Sequence, residues 1–337
     1  MKQKTILITG GAGYIGSHTA WLLSRQNYKI IILDTLYQKQ PFNHSWATLI
    51  QGDFGDRKLL NKIFTEHRIE SVIHFGAFLA VGDSVKHPLE YYENNVVKTR
   101  ILLDVMIKHN VLKFVFSSSC AVYGDPQELP LTEEHPRNPI NPYGKTKYVV
   151  ELMLEDCAQA YGLQYVSLRY FNAAGIIPYE NLYEWHVPET HLIPLVLRAA
   201  LTNKPISIFG TDYNTPDGTC VRDYIHVQDL GVAHYKALQH VENNSPSDVF
   251  NLGTGTGYSV KEIITAAQEV TEQDIVINYA GRRAGDPPIL LADPTKANNI
   301  LQWKPVVSDI HTILKTAWIA ERTCFEQKYK MSFNRIN

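Results

Sequence analysis

The chain has 337 residues, of which 45% are hydrophobic and 20% charged, and its 32 basic and 34 acidic side chains give a net charge of −2. This composition is typical of a globular protein and excludes a disordered chain, and the balanced charge gives no sign of a nucleic-acid partner. The four cysteines lie far apart without a CxxC pair, which argues against a disulfide framework. No segment approaches the roughly 20 apolar residues that cross a bilayer, so we expect a cytoplasmic protein with no membrane partner.

The first half of the chain alternates short apolar runs with amphipathic stretches. Strands are predicted at 5–9, 29–33, 47–51, 71–75, 113–117 and 164–169, and helices at 14–26, 58–67, 94–110 and 143–161. The strand at 30–33 is apolar throughout, which is typical of parallel strands that helices cover on both faces. The alternation predicts an α/β fold with a doubly wound parallel sheet of the Rossmann type.

The pattern changes after Gly175. Prolines interrupt the next stretch, at Pro178, Pro188, Pro194, Pro205 and Pro216. Residues 210–218 are rich in turn formers, and a helix is predicted at 260–270 after the glycine run 253–257. We therefore expect a first domain of residues 1–176 and a smaller, mixed α/β lobe formed mainly by residues 177–337. Parts of about 226–253 are expected to return to the first domain.

A glycine loop joins the first predicted strand to the first helix. Gly10, Gly13 and Gly16 stand in a GxxGxxG spacing, which lets the backbone approach a diphosphate at a helix N-terminus. Asp34 ends the second strand, about 20 residues further on, where a carboxylate binds an adenosine ribose and repels a 2′-phosphate. A glycine-rich turn without a ligand is the competing interpretation. The order of strand, loop, helix and acid favours a dinucleotide site, and NAD rather than NADP.

A second motif combines a tyrosine, a lysine and a serine. Tyr143 and Lys147 are four residues apart on a predicted helix and share a face, and the serine run 117–119 ends a strand, where ligands of such sheets bind. A nearby ammonium group and a positively charged nicotinamide both favour a phenolate, so the tyrosine can act as a base. Alone, a YxxxK pair also fits two surface residues. Together with the serine, it predicts a proton-transfer site beside a hydride acceptor.

These motifs resemble the extended short-chain dehydrogenase/reductases, and the segments between them are similar to the UDP-glucose 4-epimerases over nearly the whole chain. The closer resemblance lies in segments 34–36, 52–53, 74–77, 88–96, 116–124, 141–147, 169–172, 221–227 and 282–286. It implies reversible C4 epimerisation of UDP-glucose and UDP-galactose through a transient 4-keto sugar. The hydride would be held on tightly bound NAD, with Tyr143 as acid and base. A homodimer and a role in galactose metabolism are implied in the same way.

The resemblance also assigns residues. Ser119, Tyr143 and Lys147 would be catalytic. NAD would contact Gly10, Gly13, Tyr14, Ile15, Gly16, Asp34, Asp53, Phe54, Phe75, Gly76, Ala77, Asn94, Ser117, Tyr143, Lys147 and Tyr170. The UDP-sugar would contact Ser119, Tyr143, Asn172, His191, Leu192, Phe209, Arg222, Tyr224, Arg283, Asp286 and Leu290. Arg222 and Arg283 would clamp the diphosphate, because a guanidinium group binds phosphate with paired hydrogen bonds.

Two positions depart from the family pattern. Leu79 stands where relatives often have a lysine that reaches the nicotinamide ribose, so more of that anchoring falls to Tyr143 and Lys147. Leu290 is intermediate in size at a position where a tyrosine closes the sugar pocket to N-acetyl groups and a small residue opens it. We therefore expect strong activity on UDP-glucose and UDP-galactose and, at most, weak activity on N-acetylated sugars.

Other reactions on sugar nucleotides also occur on this fold. A 4,6-dehydratase needs an acid pair where this chain has Cys120 and Ala121, which disfavours that reaction. A decarboxylase and a C4 epimerase of another UDP-sugar (N-acetylhexosamine, uronate or pentose) remain open. A catalytically inactive NAD sensor is disfavoured because the tyrosine and the lysine are both present. The histidines show no HExxH or HxH spacing, so we predict no metal and ordinary core or surface roles for His74, His186 and His191.

Overall fold

Strands and helices follow the predicted alternation in a computed structural model that describes residues 3–38, 42–178, 180, 182–184, 186, 188–283 and 287–333, with side chains up to 326. The strands are β1 (Thr5–Thr9), β2 (Lys29–Asp34), β3 (Ala47–Gln51), β4 (Ser71–His74), β5 (Lys113–Ser119), β6 (Gln164–Tyr170), β7 (Asn172–Ala174), β8 (Ile206–Phe209), β9 (Val221–His226), β10 (Asp248–Leu252), β11 (Gly257–Ser259), β12 (Ile277–Ala280) and β13 (Ile289–Leu290). The helices are α1 (Tyr14–Arg25), α2 (Arg57–His67), α3 (Val81–Lys86), α4 (Pro88–Tyr92), α5 (Lys98–Lys108), α6 (Pro142–Tyr161), α7 (Leu192–Thr202), α8 (Val227–Glu242), α9 (Val260–Thr271), α10 (Thr295–Ile300) and α11 (Ile310–Phe333). A π-helical turn spans Glu93–Val97 and a 3₁₀ turn spans Cys120–Val122.

The central sheet has seven parallel strands in the order β10-β6-β5-β4-β1-β2-β3. The chain runs outward from β1 in one direction and from β4 in the other, so the topology reverses between these two neighbours. The carboxyl ends of the strands at such a reversal form the ligand crevice of doubly wound sheets. The predicted fold class is confirmed, and the crevice lies where the glycine loop leaves β1.

Alternating side chains of the central strands fill two apolar layers. Ile6 and Ile8 of β1 belong to the layer under α1 and α8, whereas Leu7 belongs to the opposite layer under α2, α5 and α6. Both faces of the strand are therefore buried, which explains its continuous apolar sequence. Burying each such side chain is worth roughly 1.5–3 kcal/mol, so this sheet is a rigid support for the crevice.

The second lobe is built on a smaller mixed sheet. Strands β11, β9 and β13 lie side by side, β7 pairs with β9, and β8 and β12 form a separate parallel pair. Helices α7, α9 and α11 cover an apolar core with side chains from β8 and β9. Only Phe171 separates β6 from β7, so the chain passes directly from the large sheet into the small one. Later residues rejoin the large sheet: α8 packs on α1, and β10 extends the edge at β6.

Some local structure differs from the prediction. The helix predicted at 94–110 begins as the π-helical turn, and the strand predicted at 113–117 continues to Ser119. Helices α3 and α4 were not predicted, because six and five residues are too short to show a helical period. Among the helices in the described residues, none is long and apolar enough to cross a membrane.

Candidate active site

The glycine loop has the shape that a bound diphosphate requires. Gly10 adopts a φ of +69°, and a Cβ there would lie 2.6 Å from the Gly76 backbone nitrogen. A Cβ on Gly16 would lie 2.4 Å from the Gly10 carbonyl oxygen. Gly13 precedes α1 in an extended conformation, and no side chain of the described residues caps this helix. The first-turn N–H groups and the helix dipole are therefore available to a negatively charged ligand.

Two carboxylates border the crevice after β2 and β3. Asp34 accepts hydrogen bonds from the backbone N–H groups of Ala12 (3.0 Å) and Leu36 (2.8 Å), so it holds the glycine loop against β2. Burial raises the pKa of the Asp34 carboxyl group, and the two hydrogen bonds oppose that shift. Asp53 accepts from the Gly55 N–H at 2.7 Å and pairs with the Lys98 ammonium group at 2.6 Å. Each oxygen keeps a second lone pair for a ligand hydroxyl or amine.

A neutral histidine lies under the crevice. The His74 ring bonds to the Thr9 hydroxyl (2.6 Å) and to the Thr99 hydroxyl (2.9 Å), and so connects β1, β4 and α5. Burial, reinforced by the charge of Lys147, lowers the His74 pKa to about 3. This matches the predicted core role. The buried Phe54 ring packs edge-on against His74 at 5.0 Å, and Phe75, Gly76 and Ala77 follow directly after it.

The π-helical turn contributes two buried asparagines. Asn94, a predicted cofactor contact, donates its amide to Asn95 Oδ1 at 3.0 Å. Asn95 was not singled out from the sequence, yet it bonds to both backbone groups of Phe78 and to the Thr146 hydroxyl. It therefore links the chain after β4 to α6. Wide helical turns of this kind are frequent at functional sites.

The predicted catalytic residues meet at the carboxyl end of β5. The Lys147 ammonium group donates to the Ser117 carbonyl at 2.7 Å and lies 5.8 Å from the centre of the Tyr143 ring. The Ser117 hydroxyl bonds to the Tyr170 hydroxyl. Burial raises the pKa of Tyr143 to about 12, and a hydrogen bond with Ser119 opposes that shift. Burial also lowers the pKa of Lys147 to about 7, against the attraction of Glu151.

The sequence predicted that the Lys147 ammonium group and the positively charged nicotinamide would both favour the Tyr143 phenolate. Among the protein groups alone, burial dominates the pKa of both Tyr143 and Lys147. Because Lys147 is itself only partly protonated near neutral pH, it contributes less positive charge than an exposed lysine would. Lowering the Tyr143 pKa therefore requires positive charge beyond what these two side chains supply.

A buried ion pair lies behind this site and was not predicted. Glu151, one turn after Lys147 on α6, is 1% exposed and accepts from Arg169 Nε (2.9 Å), Arg169 Nη2 (2.6 Å) and the Ser118 hydroxyl (2.6 Å). Arg169 is 2% exposed and donates to the Tyr123 hydroxyl at 2.9 Å. The signal in the sequence was an arginine inside the apolar strand at 164–169. This network fixes the ends of β5 and β6 to α6.

Several predicted substrate residues gather on β9 and its neighbours. Arg222 pairs in register with Leu290 on β13 and donates to the Val221 carbonyl at 2.9 Å. Burial raises the pKa of the Cys120 thiol to about 12, and the Arg222 charge opposes that shift, so the arginine lies near the turn after Ser119. Leu290 packs against the cluster of Val122, Tyr123, Leu131, Phe171 and Ala292. Asn172 donates its amide to the Asp223 carbonyl at 3.2 Å.

A second group lies at the exposed end of β8. The Arg283 guanidinium carbon lies 4.6 Å from the centre of the Phe209 ring, so the arginine and the aromatic ring predicted for the nucleotide are neighbours. Both side chains are exposed. Asp286 lies outside the described residues.

Five predicted contacts have surroundings that the sequence did not indicate. Tyr224 is buried in the apolar core of the second lobe, so its ring packs with helices instead of framing an open pocket. The Tyr14 hydroxyl donates to the Gly175 carbonyl at 2.5 Å, and Ile15 packs against the core, which leaves their backbone for a ligand. His191 precedes α7, and Leu192 packs against the second core.

The His191 ring, for which the sequence predicted an ordinary core or surface role, lies in a cluster of charged groups. Its Nδ1 lies 3.0 Å from Glu184 Oε1 and 3.0 Å from Glu189 Oε1, and His186 faces the same two carboxylates. The spacing ExHxxExH that places these groups together matches neither motif sought in the sequence. The two glutamates therefore engage the His191 side chain. The His191 backbone is engaged as well, because its N–H donates to Glu189 Oε1 at 3.0 Å and its carbonyl accepts from the Leu195 N–H at 3.2 Å.

The comparisons with known proteins agree with this arrangement. Residues 6–253 match the family described as NAD dependent epimerase/dehydratase. The chain is 51% identical over 314 residues to a UDP-glucose 4-epimerase of Halalkalibacterium halodurans, covering 93% of this chain and 94% of that protein. It superposes on the crystal structure of UDP-glucose 4-epimerase from Brucella ovis in complex with NAD with a TM-score of 0.89 and 45% identity, covering 94% of this chain and 97% of the other. The UDP-Glc/GlcNAc 4-epimerase of Campylobacter jejuni gives a TM-score of 0.82 and 38% identity, covering 95% and 100% of the two chains.

Proposed function

We propose that this chain, which belongs to the NAD dependent epimerase/dehydratase family, is a UDP-glucose 4-epimerase. It would bind NAD tightly and interconvert UDP-glucose and UDP-galactose. One observation carries the proposal: Ser119, Tyr143 and Lys147 lie together at the carboxyl end of the central sheet, where the glycine loop also lies. The similarity to named UDP-glucose 4-epimerases over more than nine-tenths of the chain supports the same reaction.

The residues around the glycine loop fit NAD. The loop offers uncapped N–H groups to the diphosphate, Asp34 offers carboxylate oxygens to the adenosine ribose, and Asp53 offers the same to the adenine amine. Gly10 and Gly16 keep the backbones in contact where any side chain would collide. When bound, NAD supplies a hydride acceptor and donor at the sugar C4, together with a positive charge.

The catalytic side chains handle the proton. Tyr143 removes the proton from the sugar O4 and later returns it, while Ser119 hydrogen-bonds to the same oxygen. Lys147 holds the nicotinamide ribose side of the site and stabilises the phenolate. A positive charge near the ring is necessary for this chemistry, because burial alone raises the Tyr143 pKa to about 12.

The second lobe holds the nucleotide so that the sugar can turn. Arg222 lies close to the turn after Ser119, and Arg283 stacks on Phe209. These positions support the proposal that the two guanidinium groups bind the diphosphate and that the ring holds the uracil. Leu290 pairs in register with Arg222, so it lies beside the proposed diphosphate site. Because Leu290 is intermediate in size, UDP-N-acetylhexosamines are the second candidate substrates. The similarity to a UDP-Glc/GlcNAc 4-epimerase favours them.

The test is an assay of freshly purified protein with no added NAD. UDP-galactose should yield UDP-glucose, followed by chromatography, and UDP-N-acetylgalactosamine in parallel should turn over weakly or not at all. The matched control is Tyr143→Phe, which keeps the ring and removes the hydroxyl. Absence of turnover with both sugars, while denaturation still releases NAD, would refute this substrate assignment and point to uronate or pentose UDP-sugars.

Three further expectations belong to this proposal: a homodimer, residence in the cytoplasm and a role in galactose metabolism. Light scattering of the purified protein measures the first. Deletion of the gene, followed by growth on galactose, measures the third.

A further inference from the structure

Four potential metal ligands converge outside the proposed active site, between β7 and α7. Glu184, His186, Glu189 and His191 place one donor atom each within 4.8 Å of one another. Glu184, His186 and Glu189 border a cavity of about 410 Å³ that Gly175, Arg198 and Glu321 also line. The Gly175 carbonyl accepts the Tyr14 hydroxyl, so this region also adjoins the first turn of α1.

Several of the donor distances approach those of a tetrahedral site. Zinc binds histidine nitrogen and carboxylate oxygen at roughly 2.0–2.2 Å, so neighbouring ligands of a tetrahedron stand about 3.3–3.6 Å apart. His186 Nδ1 lies 3.5 Å from Glu184 Oε1 and 3.7 Å from Glu189 Oε2. His191 Nδ1 lies 3.0 Å from an oxygen of each glutamate. Because the four donors are separated by up to 4.8 Å, a central ion requires the side chains to move inward by about 1 Å.

Two of these donors are buried without a hydrogen-bond partner in the described residues. They are His186 Nδ1 and Glu189 Oε2, and the Glu189 side chain is only 2% exposed. A buried carboxylate oxygen that lacks a donor costs free energy, and a bound cation removes that cost. The nearest cationic group is Arg198, whose Nη2 lies 3.5 Å from Glu189 Oε2. Its two hydrogen bonds, at 2.8 and 2.9 Å, go to Glu321 instead.

Charge and ligand type select the ion. Two carboxylates and two neutral imidazoles carry two negative charges, which one divalent cation balances. Calcium and magnesium require six or more oxygen ligands, whereas half of these donors are nitrogen. Copper(II) and nickel(II) favour square-planar or tetragonal sites. Zinc accepts a mixed nitrogen and oxygen set in a tetrahedron.

We propose that Glu184, His186, Glu189 and His191 form a structural divalent-metal site, with zinc as the expected ion. Four protein ligands leave no open position for a substrate, so the ion would fix the chain that enters α7 and play no part in the reaction. The proposal does not depend on the epimerase activity. The competing arrangement is metal-free, with both histidines protonated and paired with the glutamates.

Metal content of the full-length protein tests the proposal directly. Protein purified without a chelator or a histidine tag should carry one zinc per chain by plasma mass spectrometry. Replacement with Co²⁺ should give the intense visible bands of a tetrahedral cobalt site. The variant His186→Ala/His191→Ala should lose both signals. His311→Ala is the matched control, because His311 is an exposed histidine 3.1 Å from a single glutamate, and it should keep them.

A gentler variant covers the case in which the double variant does not fold. Glu189→Gln keeps the size of the side chain and should weaken zinc binding by at least about 10- to 100-fold, the loss seen even for residues that only support a ligand. Another first-row divalent metal, bound in equal amount and lost in the variants, would support the site with that ion. Metal-free protein that gives no tetrahedral cobalt spectrum, or equal zinc affinity in wild type and Glu189→Gln, would overturn it.

Discussion

Replacing Glu151 by glutamine tests whether the buried ion pair supports the catalytic helix. The carboxylate accepts three hydrogen bonds at 2.6–2.9 Å, two of them from Arg169, and a fourth from Arg137 at 3.5 Å. Glu151 and Arg169 are at most 2% exposed. The amide of glutamine keeps one acceptor oxygen and turns an N–H₂ group toward a donor. Arg169 then stays buried with its charge uncompensated. Breaking such a pair costs about 3–5 kcal/mol, and because an amide oxygen in the Oε1 position keeps the bonds from Arg169 Nε and the Ser118 hydroxyl we expect a loss of about 3 kcal/mol.

The assay is urea unfolding followed by circular dichroism, with the free energy of unfolding taken from the midpoint at constant slope. Glu155→Gln is the matched control: it lies one turn later on α6, is 36% exposed and pairs with Arg137 at 2.7 Å. An exposed pair contributes about 0–1 kcal/mol, so this variant should unfold close to wild type. The double variant Glu151→Leu/Arg169→Met should lose less than Glu151→Gln, since both charges are gone. Equal stability of Glu151→Gln and Glu155→Gln would refute the reasoning.

Three further predictions concern the reaction and its pH range. Tyr143→Phe should retain bound NAD and lose turnover by about 10²–10⁴-fold or more, measured as kcat with NAD release on denaturation; near-normal turnover would remove Tyr143 from the base role. Burial lowers the pKa of His18, His226 and His234 to about 4. Below about pH 6.5 the unfolded chain therefore binds more protons than the folded chain, so the free energy of unfolding should fall as the pH is lowered from 6.5 to 4. Urea midpoints at pH 7 and 5 measure this, and His234→Gln should flatten the dependence. Leu290→Tyr should abolish any turnover of UDP-N-acetylgalactosamine and leave the turnover of UDP-galactose unchanged. An unchanged ratio of the two rates would show that Leu290 does not determine which sugar is accepted.

The sequence predicted the parts of the fold whose physical signals are local and periodic. The strands around Leu7 and Ile31 have continuous apolar runs, and the glycine spacing at 10–16 marks a strand-to-helix turn, so the sheet and the dinucleotide crevice followed from them. The separation of Tyr143 from Lys147 by one helical turn placed both on one face of α6.

What the sequence did not reveal depends on contacts between distant residues. Arg169 looked like a strand residue, and only the fold brings Glu151, eighteen positions earlier, against it. Tyr224 lies two residues after Arg222 on β9, so the two side chains share a face of the strand. Only the fold shows that the Tyr224 ring is buried in the second apolar core whereas Arg222 is half-buried. The raised pKa of Tyr143 likewise depends on burial, which no local pattern records. Residues 184–191 matched no standard ligand spacing, so their convergence appeared only in three dimensions.

The return of β10 to the edge of the central sheet has a consequence for synthesis on the ribosome. Strand β6 remains an open edge until residues 248–252 have emerged, that is until the part of the second lobe that precedes β10 has been made. Unpaired parallel edges invite pairing with other chains. A nascent chain paused before β10, or a fragment ending at residue 176, would therefore expose Gln164–Tyr170 as an unpaired, aggregation-prone edge strand. Once β10 has been made, it pairs with this strand and covers the edge.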